Sequence, residues 1–238
     1  MSGFTLKGGL IEFMESFPIP VPNVIIFQYN PETMTHGWTP AAPASPPADA
    51  KKPNPLAITG QPQETFSFTL AMDSNDTIAD GNAVVKGIAE LSGVYSRLAA
   101  LEMLMFPTAP PGGGLIGSVT AALGGLGGGS SSPTPTQTVP SQQVPTVLFV
   151  WGPGRIVPVK VKTLSVTEKL YDNMLLNPIH VEAQITLSAL TLEELDYVDG
   201  PLGAVAKAAN KYSQGLREAL AIANLANAVT SIIGMLPV

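Results

Sequence analysis

The residue types that carry chemistry in most proteins are few and scattered here. The chain has two histidines, His36 and His180, no cysteine, and one acidic cluster, Asp73 to Asn82 (DSNDTIADGN). Without cysteine there are no disulfides, no Cys-ligated zinc and no thiol nucleophile. A metal site needs three or four converging ligands, and neither histidine has a second ligand at helical or hairpin spacing. His180 falls on the polar side of an alternating segment and reads as an ordinary wet-face residue. The acidic cluster lacks the glycine and glutamate that an EF-hand places at its sixth and twelfth positions, so it reads as a polar strand-to-helix connection. Trp151-Gly152-Pro153-Gly154-Arg155 has glycines but no Lys-Ser/Thr ending, and reads as a hairpin turn rather than a phosphate loop. No Ser-His-Asp set, nucleophile elbow or paired carboxylates stand out. No catalytic, cofactor-binding or metal-ligating residue is therefore expected, and an enzyme is not.

What the chain does carry is pattern. From Ile179 to Leu190 the apolar residues Ile179, Val181, Ala183, Ile185, Leu187 and Ala189 alternate with His180, Glu182, Gln184, Thr186 and Ser188, which is a strand with one dry and one wet face. Arg155 to Glu168 repeats this, with Val157, Val159 and Val161 opposite Lys160 and Lys162. Asp172 to Pro178 supplies turn residues between the two, so an antiparallel pair with one solvated face is expected. Gln63 to Asp73 alternates as well, with Phe66, Phe68, Leu70 and Met72 on one side. Asn23 to Tyr29 is a shorter apolar strand ended by Asn30-Pro31.

Helical spacing appears in two places. Val84, Ile88, Leu91, Tyr95, Leu98 and Leu101 to Met105 form a stripe within Asp80 to Phe106, with Asp80 placed to cap one helix and Pro107 to stop it. After a plausible start at Thr191 with Glu193 and Glu194, and a break at Gly200-Pro201, a second stripe runs through Leu202, Val205, Ala209, Tyr212, Leu216 and Leu220. The remaining C-terminal stretch is uncharged but interrupted by Asn224, Asn227, Thr230 and Ser231, which suits a partner-docked helix better than a bilayer span.

The 238 residues are 45% hydrophobic, only 13% are charged, and Gly and Pro number 23 each. That is enough to bury a core, with a surface poor in charge that suggests contact with other protein. A net charge of -6 with scattered Lys and Arg argues against nucleic acid. The N-terminus has Glu12 and Glu15 inside its apolar stretch and does not read as a secretory signal, so cytoplasmic synthesis is expected. Residues 39–60 are Pro-rich and read as an extended loop. Residues 107–144 are Gly/Ser/Pro-rich and read as a flexible linker, with Leu115 to Leu126 as an apolar island too short to span a bilayer.

Five segments, taken in order, resemble a known family: FQYNPET (Phe27 to Thr33), TFSFTLAMD (Thr65 to Asp73), LAALEMLMFP (Leu98 to Pro107), PTVLFVWGPGRIVPVKVKTLSVTEKLYD (Pro145 to Asp172) and LNPIHVEAQITLSAL (Leu176 to Leu190). They are similar to the tube-like domain of contractile injection system proteins, which often precedes a LysM module in baseplate adaptors of phage-tail-like particles such as the antifeeding prophage and the Photorhabdus virulence cassettes. The resemblance covers about Gly8 to Thr191, and no LysM module follows.

It implies an α+β fold built on a tail-tube-like antiparallel β-barrel or sandwich with a flanking helix, whose strands join a ring-wide barrel. Residues 1–191 would form the tube-like domain and 192–238 a C-terminal helical extension. The implied function is a structural, hexameric ring component joining the inner tube to the spike or baseplate, assembled in the cytoplasm and released in a particle. Inner tube, spike and baseplate proteins are the implied partners, with no cofactor, and the free protein would have no membrane association. The alternatives are a tube or cap adaptor at another level of the particle, or a membrane-associated attachment protein using its C-terminal helix.

Overall fold

A computed structural model describes residues 6–14, 21–43, 56–80, 92–106, 144–198 and 200–235. The fold is mixed α+β, and its centre is a seven-stranded antiparallel sheet. In chain order the strands are β1 (Gly9–Met14), β2 (Val21–Ile26), β3 (Met34–Thr39), β6 (Gln63–Asp73), β7 (Val147–Val150), β8 (Ile156–Tyr171) and β9 (Pro178–Ala189). They are arranged as β2-β1-β7-β8-β9-β6-β3, beside a two-stranded sheet of β4 (Ala42–Pro43) and β5 (Ile58–Thr59). The helices are α1 (Ser74–Asp80), α2 (Tyr95–Met103), α3 (Leu192–Leu195) and α4 (Gly200–Met235). Within one chain the sheet is open and does not close into a barrel, and β2 and β3 are its outer strands.

The expected alternation places the core. Phe66, Phe68, Leu70 and Met72 of β6, Val181, Ala183, Ile185 and Leu187 of β9, and Val157, Val159 and Val161 of β8 are all buried in one cluster. Cross-strand register explains why they meet: Phe66 lies opposite Leu187, Phe68 opposite Ile185 and Leu70 opposite Ala183. Strand side chains directly opposite one another on a face touch and stabilise the pair. Phe27, Phe68, Phe149 and Trp151 extend this layer as a chain of ring contacts, with centroids 5.2 to 6.3 Å apart in the Phe66–Phe149, Phe27–Phe68, Phe68–Phe149, Phe149–Trp151 and Phe27–Trp151 pairs. Helix α2 lays Leu98 and Leu101 onto the same cluster.

The β8–β9 hairpin turns within residues 172–177, as its turn residues anticipate. Asp172 accepts from the backbone N–H groups of Met174 and Leu175. The turn at Trp151 to Arg155 is also a hairpin: Trp151 N donates to Arg155 O at 2.8 Å, and Gly152 supplies the positive φ of 67°. One irregularity lies in β8. Its pairing with β9 shifts between Val161 and Thr163, so one extra residue resets the alternation. Val161 is dry, Lys162 is extruded, and Leu164 and Val166 then return to the core side.

Several sequence expectations are corrected. The single helix expected over Asp80 to Phe106 is broken, because Gly93 takes a φ of +57° and Val94 N donates to Pro178 O. Asp80 is the last described residue of α1, and residues 81–91 of the expected helix lie outside the described residues. The strand expected over Asn23 to Tyr29 starts earlier and ends at Ile26. The loop expected over residues 39–60 contains β4 and β5. Strands β1 and β3 were not expected at all. Residues 107–143, with the island Leu115 to Leu126, and residues 44–55 of the Pro-rich loop lie outside the described residues.

The docking face of the C-terminal helix shares Ala209 with the expected stripe but is otherwise rotated away from it. Val205, Tyr212 and Leu220 are exposed, whereas Ala206, Ala209, Asn210 and Ser213 are buried. Positions 203, 206, 210, 213 and 217 recur at helical spacing, and small or polar residues there allow close approach. Asn210 Nδ2 donates to Leu190 O at 3.2 Å and Ser213 Oγ to Ile156 O at 2.6 Å. Before it, α3 starts at Thr191 as expected, and the structure adds a capping box there: the hydroxyl accepts from Glu194 N, and the carboxylate accepts from Thr191 N.

Candidate functional surface

The face of the sheet opposite the core gathers one kind of chemistry. Over β8, β9, β6 and β3 its outward positions are Thr163, Ser165, Thr167 and Lys169; Thr186, Gln184, Glu182 and His180; Thr65, Ser67, Thr69 and Ala71; and Thr35, Gly37 and Thr39. All are exposed or half-buried. The centre of this surface is hydroxyl and amide, with cross-strand pairs such as Ser67 and Thr186, whose oxygens lie 3.3 Å apart. A face of this kind hydrogen-bonds water everywhere and holds no fixed charge at its middle.

Charge is confined to the ends. At the hairpin end His180 Nδ1 lies 3.3 Å from Asp73 Oδ2, and Lys169 Nζ donates to Glu182 Oε1 at 2.5 Å. The Lys169 hydrogen bond and charge hold the Glu182 carboxyl below its ordinary range, with His180 adding to the effect. His180 is therefore a wet-face residue, as expected, within a set of surface ion pairs. At the other end Lys160 pairs with Glu194 at 2.6 Å. Burial works against the charge on Glu194, but the bonds from Lys160 and Thr191 outweigh it and leave this carboxyl lowered.

Among the described residues both lateral edges of this four-stranded unit are open. Strand β7 pairs with β8 only from Ile156 to Val159, so along Lys160 to Tyr171 no strand among the described residues covers the side of β8 away from β9. On the far side β3 is paired, among the described residues, with β6 alone. Unpaired edges present rows of backbone N–H and C=O groups that template a further strand.

His36 and His180 are not brought together. His36 lies on edge strand β3, stacked on Phe66 with centroids 4.4 Å apart, and its Nε2 lies 2.5 Å from Glu64 Oε1. Arg217 of α4 donates to the same oxygen. Glu64 is buried, so this carboxylate fastens the edge strand and the C-terminal helix together, bonded to His36 and to the Arg217 guanidinium. Sequence reading passed over it, although it continues the dry-face parity of Phe66 and Phe68, and a carboxylate in that parity needs a partner. A cleft of about 340 Å³ opens beside it, lined by Trp38, Glu64, Leu190, Asn210, Ser213 and Arg217 among others.

The acidic segment Asp73 to Asn82 begins at the end of β6 and continues as helix α1 up to Asp80, not as a calcium loop. Among the described residues no group of three or more His, Asp or Glu side chains could hold a metal ion. No protein-family model and no curated protein matches this chain.

Proposed function

We propose that this protein is a structural, ring-forming subunit of a phage-tail-like contractile injection system, an adaptor between the inner tube and the spike or baseplate. The observation that supports this is the four-stranded unit β8-β9-β6-β3, with a neutral wet face and two open edges. Pairing the β8 edge of one copy with the β3 edge of the next is a head-to-tail contact, and such contacts build a closed ring when the rotation between copies closes. Closure removes the exposed edges. Six copies, the number carried by the resemblance of the five segments, would give a backbone cylinder roughly 45 Å across at about 4.8 Å per strand and the usual tilt. Its inner wall would be the hydroxyl and amide face, and its outer side the core covered by α2.

The charge-poor composition supports protein partners at the two ends of the ring. Among the described residues no helix is long and apolar enough to cross a membrane.

The chain has no cysteine, so engineered disulfides report the joint directly. Thr35→Cys combined in turn with Thr163→Cys, Ser165→Cys or Thr167→Cys should give, for one combination, an oxidised ladder that ends at six subunits. Single variants should give none. Chains that remain monomeric by light scattering, in solution and in purified particles, would refute the ring. A particle reconstruction with density for this chain between tube and spike checks the level.

A further inference from the structure

The cleft beside Glu64 gathers binding chemistry that the wet face lacks. It encloses about 340 Å³ and is lined by Trp38, Glu64, Asn210, Arg217 and Glu218 among others, a size at the lower end of ligand pockets. Trp38, on edge strand β3, is 56% exposed but held in place. His36 packs on it with ring centroids 3.9 Å apart, and His36 is itself stacked on Phe66 and bonded to Glu64. A large aromatic surface fixed before anything binds loses little freedom on binding. At the inner end of this row of rings the Arg155 guanidinium carbon lies 5.4 Å from the Phe66 centroid, close enough for a cation–π contact. At the outer end no cation of the described residues lies over Trp38.

Charge and hydrogen bonding decide what belongs there. Glu64 is bonded to His36 and paired with Arg217, so the Arg217 charge is already used within the wall. Glu218, the next residue of α4, is exposed and forms no ion pair with a described residue. Two carboxylates against one guanidinium leave the cleft with excess negative charge, in a chain whose net charge is -6. Asn210 is 8% exposed; its Nδ2 donates to Leu190 O, whereas its Oδ1 accepts from no described residue. A buried acceptor in this position calls for a donor. An occupant that meets all three features is cationic, flat enough to lie on an indole ring, and rich in N–H groups. A guanidinium is planar, always charged, carries five N–H donors and stacks on aromatic faces, whereas an ammonium is a compact, strongly hydrated point charge.

We infer that this cleft receives an arginine side chain of a partner protein, with its guanidinium on Trp38 and facing Glu218. Free arginine would bring its own α-carboxylate beside Glu64 and Glu218, and an arginine within a polypeptide has none. Trp38 has the dry-face parity of His36, so the site uses neither the wet face nor the ring.

The test uses the full-length chain labelled with nitrogen-15 and N-acetyl-L-arginine amide as the probe, read on the indole N–H signals of the two tryptophans. The Trp38 signal, assigned with Trp38→Phe, should move with a dissociation constant on the order of 1 mM, and the Trp151 signal should stay still. N-acetyl-L-citrulline amide, the neutral near-isostere, should move neither, and N-acetyl-L-lysine amide should bind several-fold more weakly. Glu218→Gln should weaken binding of the arginine probe roughly two- to fivefold, and Trp38→Leu, followed at the backbone amide of Glu218, should do the same. No movement of the Trp38 signal, equal binding of the citrulline or lysine probe, or unchanged affinity in both variants overturns the inference. Free L-arginine binding as tightly as the amide, or more tightly, would assign the cleft to a small molecule and overturn the protein partner.

Discussion

Two glycines of α4 make opposite predictions for the same substitution. In a helix interior Gly→Ala ordinarily stabilises by about 1 kcal/mol, because alanine loses less backbone entropy and forms helix better. At Gly215 an added Cβ meets nothing within 4 Å, so Gly215→Ala should gain about that amount. At Gly203 the Cβ would lie 2.1 Å from Val198 O. That carbonyl belongs to a turn tied down by the Val198 N to Leu195 O bond of 3.3 Å, and more than 1 Å of movement is needed to reach ordinary contact. Overpacking of this kind costs roughly 3 kcal/mol, at the upper end of its range, which leaves a net loss of about 2 kcal/mol after the helix gain. For a chain of this size, 1 kcal/mol moves the melting temperature by roughly 2–4 °C. Gly215→Ala should therefore rise by roughly 2–4 °C and Gly203→Ala fall by roughly 4–8 °C, read by circular dichroism at 222 nm. Shifts in the same direction would refute the seating of α4 against the 195–198 turn.

The core and the titrating groups give further tests. Val159→Asp and Ile185→Asp each place an unpaired charge at a fully buried position and should prevent folding, whereas Gln184→Asp on the exposed side should change stability by less than about 0.5 kcal/mol. Urea titration separates them, and equal behaviour would mean the strand register is wrong. Glu12 is buried on β1, and burial raises its carboxyl above the ordinary 4.5 despite the bond from Asn23 Nδ2. The stability tied to its neutral form is complete below the unfolded value and is lost as pH rises through the folded one. Glu12→Gln should therefore raise the melting temperature at pH 7 and leave it unchanged near pH 4. Glu194 has the opposite sign: its lowered carboxyl contributes above 4.5 and ceases to as pH falls through the folded value, so Glu194→Gln should lower the melting temperature at pH 7 and not at pH 3.

Strands β6, β8 and β9 were legible because one buried face imposes a period of two, and each runs long enough to display it. The parts that were not legible fail for identifiable reasons. In β1 the buried Glu12 looks like a surface residue, since only its cross-strand neighbour Asn23 makes its burial tolerable. In strand β3, MTHGWT, the alternation of Met34 and Trp38 is interrupted at the dry-face position His36, which is satisfied by Glu64 and by stacking on Phe66. The stripe from Val84 to Met105 runs on through Gly93, so periodicity hides a break that depends on the distant carbonyl of Pro178. On α4 the docking face consists of small and polar residues that a hydrophobic stripe cannot reveal. The wet face itself was readable strand by strand, but its open edges depend on how short β7 is beside β8, which is a property of the assembled sheet.

The strand order has a consequence for the birth of the molecule. The β7-β8-β9 meander that forms the middle of the sheet comes from residues 147–189, while β1–β2 and β3–β6 attach to its two flanks. During synthesis the flanking hairpins leave the ribosome first and have no central strand to join. Between Asp73 at the end of β6 and Ala189 at the end of β9 the ribosome adds well over a hundred residues, roughly 6–25 s at ordinary elongation rates. For that interval Phe66, Phe68, Leu70 and Met72 have no partner face, and a nascent chain in this state is a substrate for chaperones and for aggregation with its neighbours on the same message. Slower translation through residues 74–146 would lengthen this exposure and lower the soluble yield, with no change to the native state.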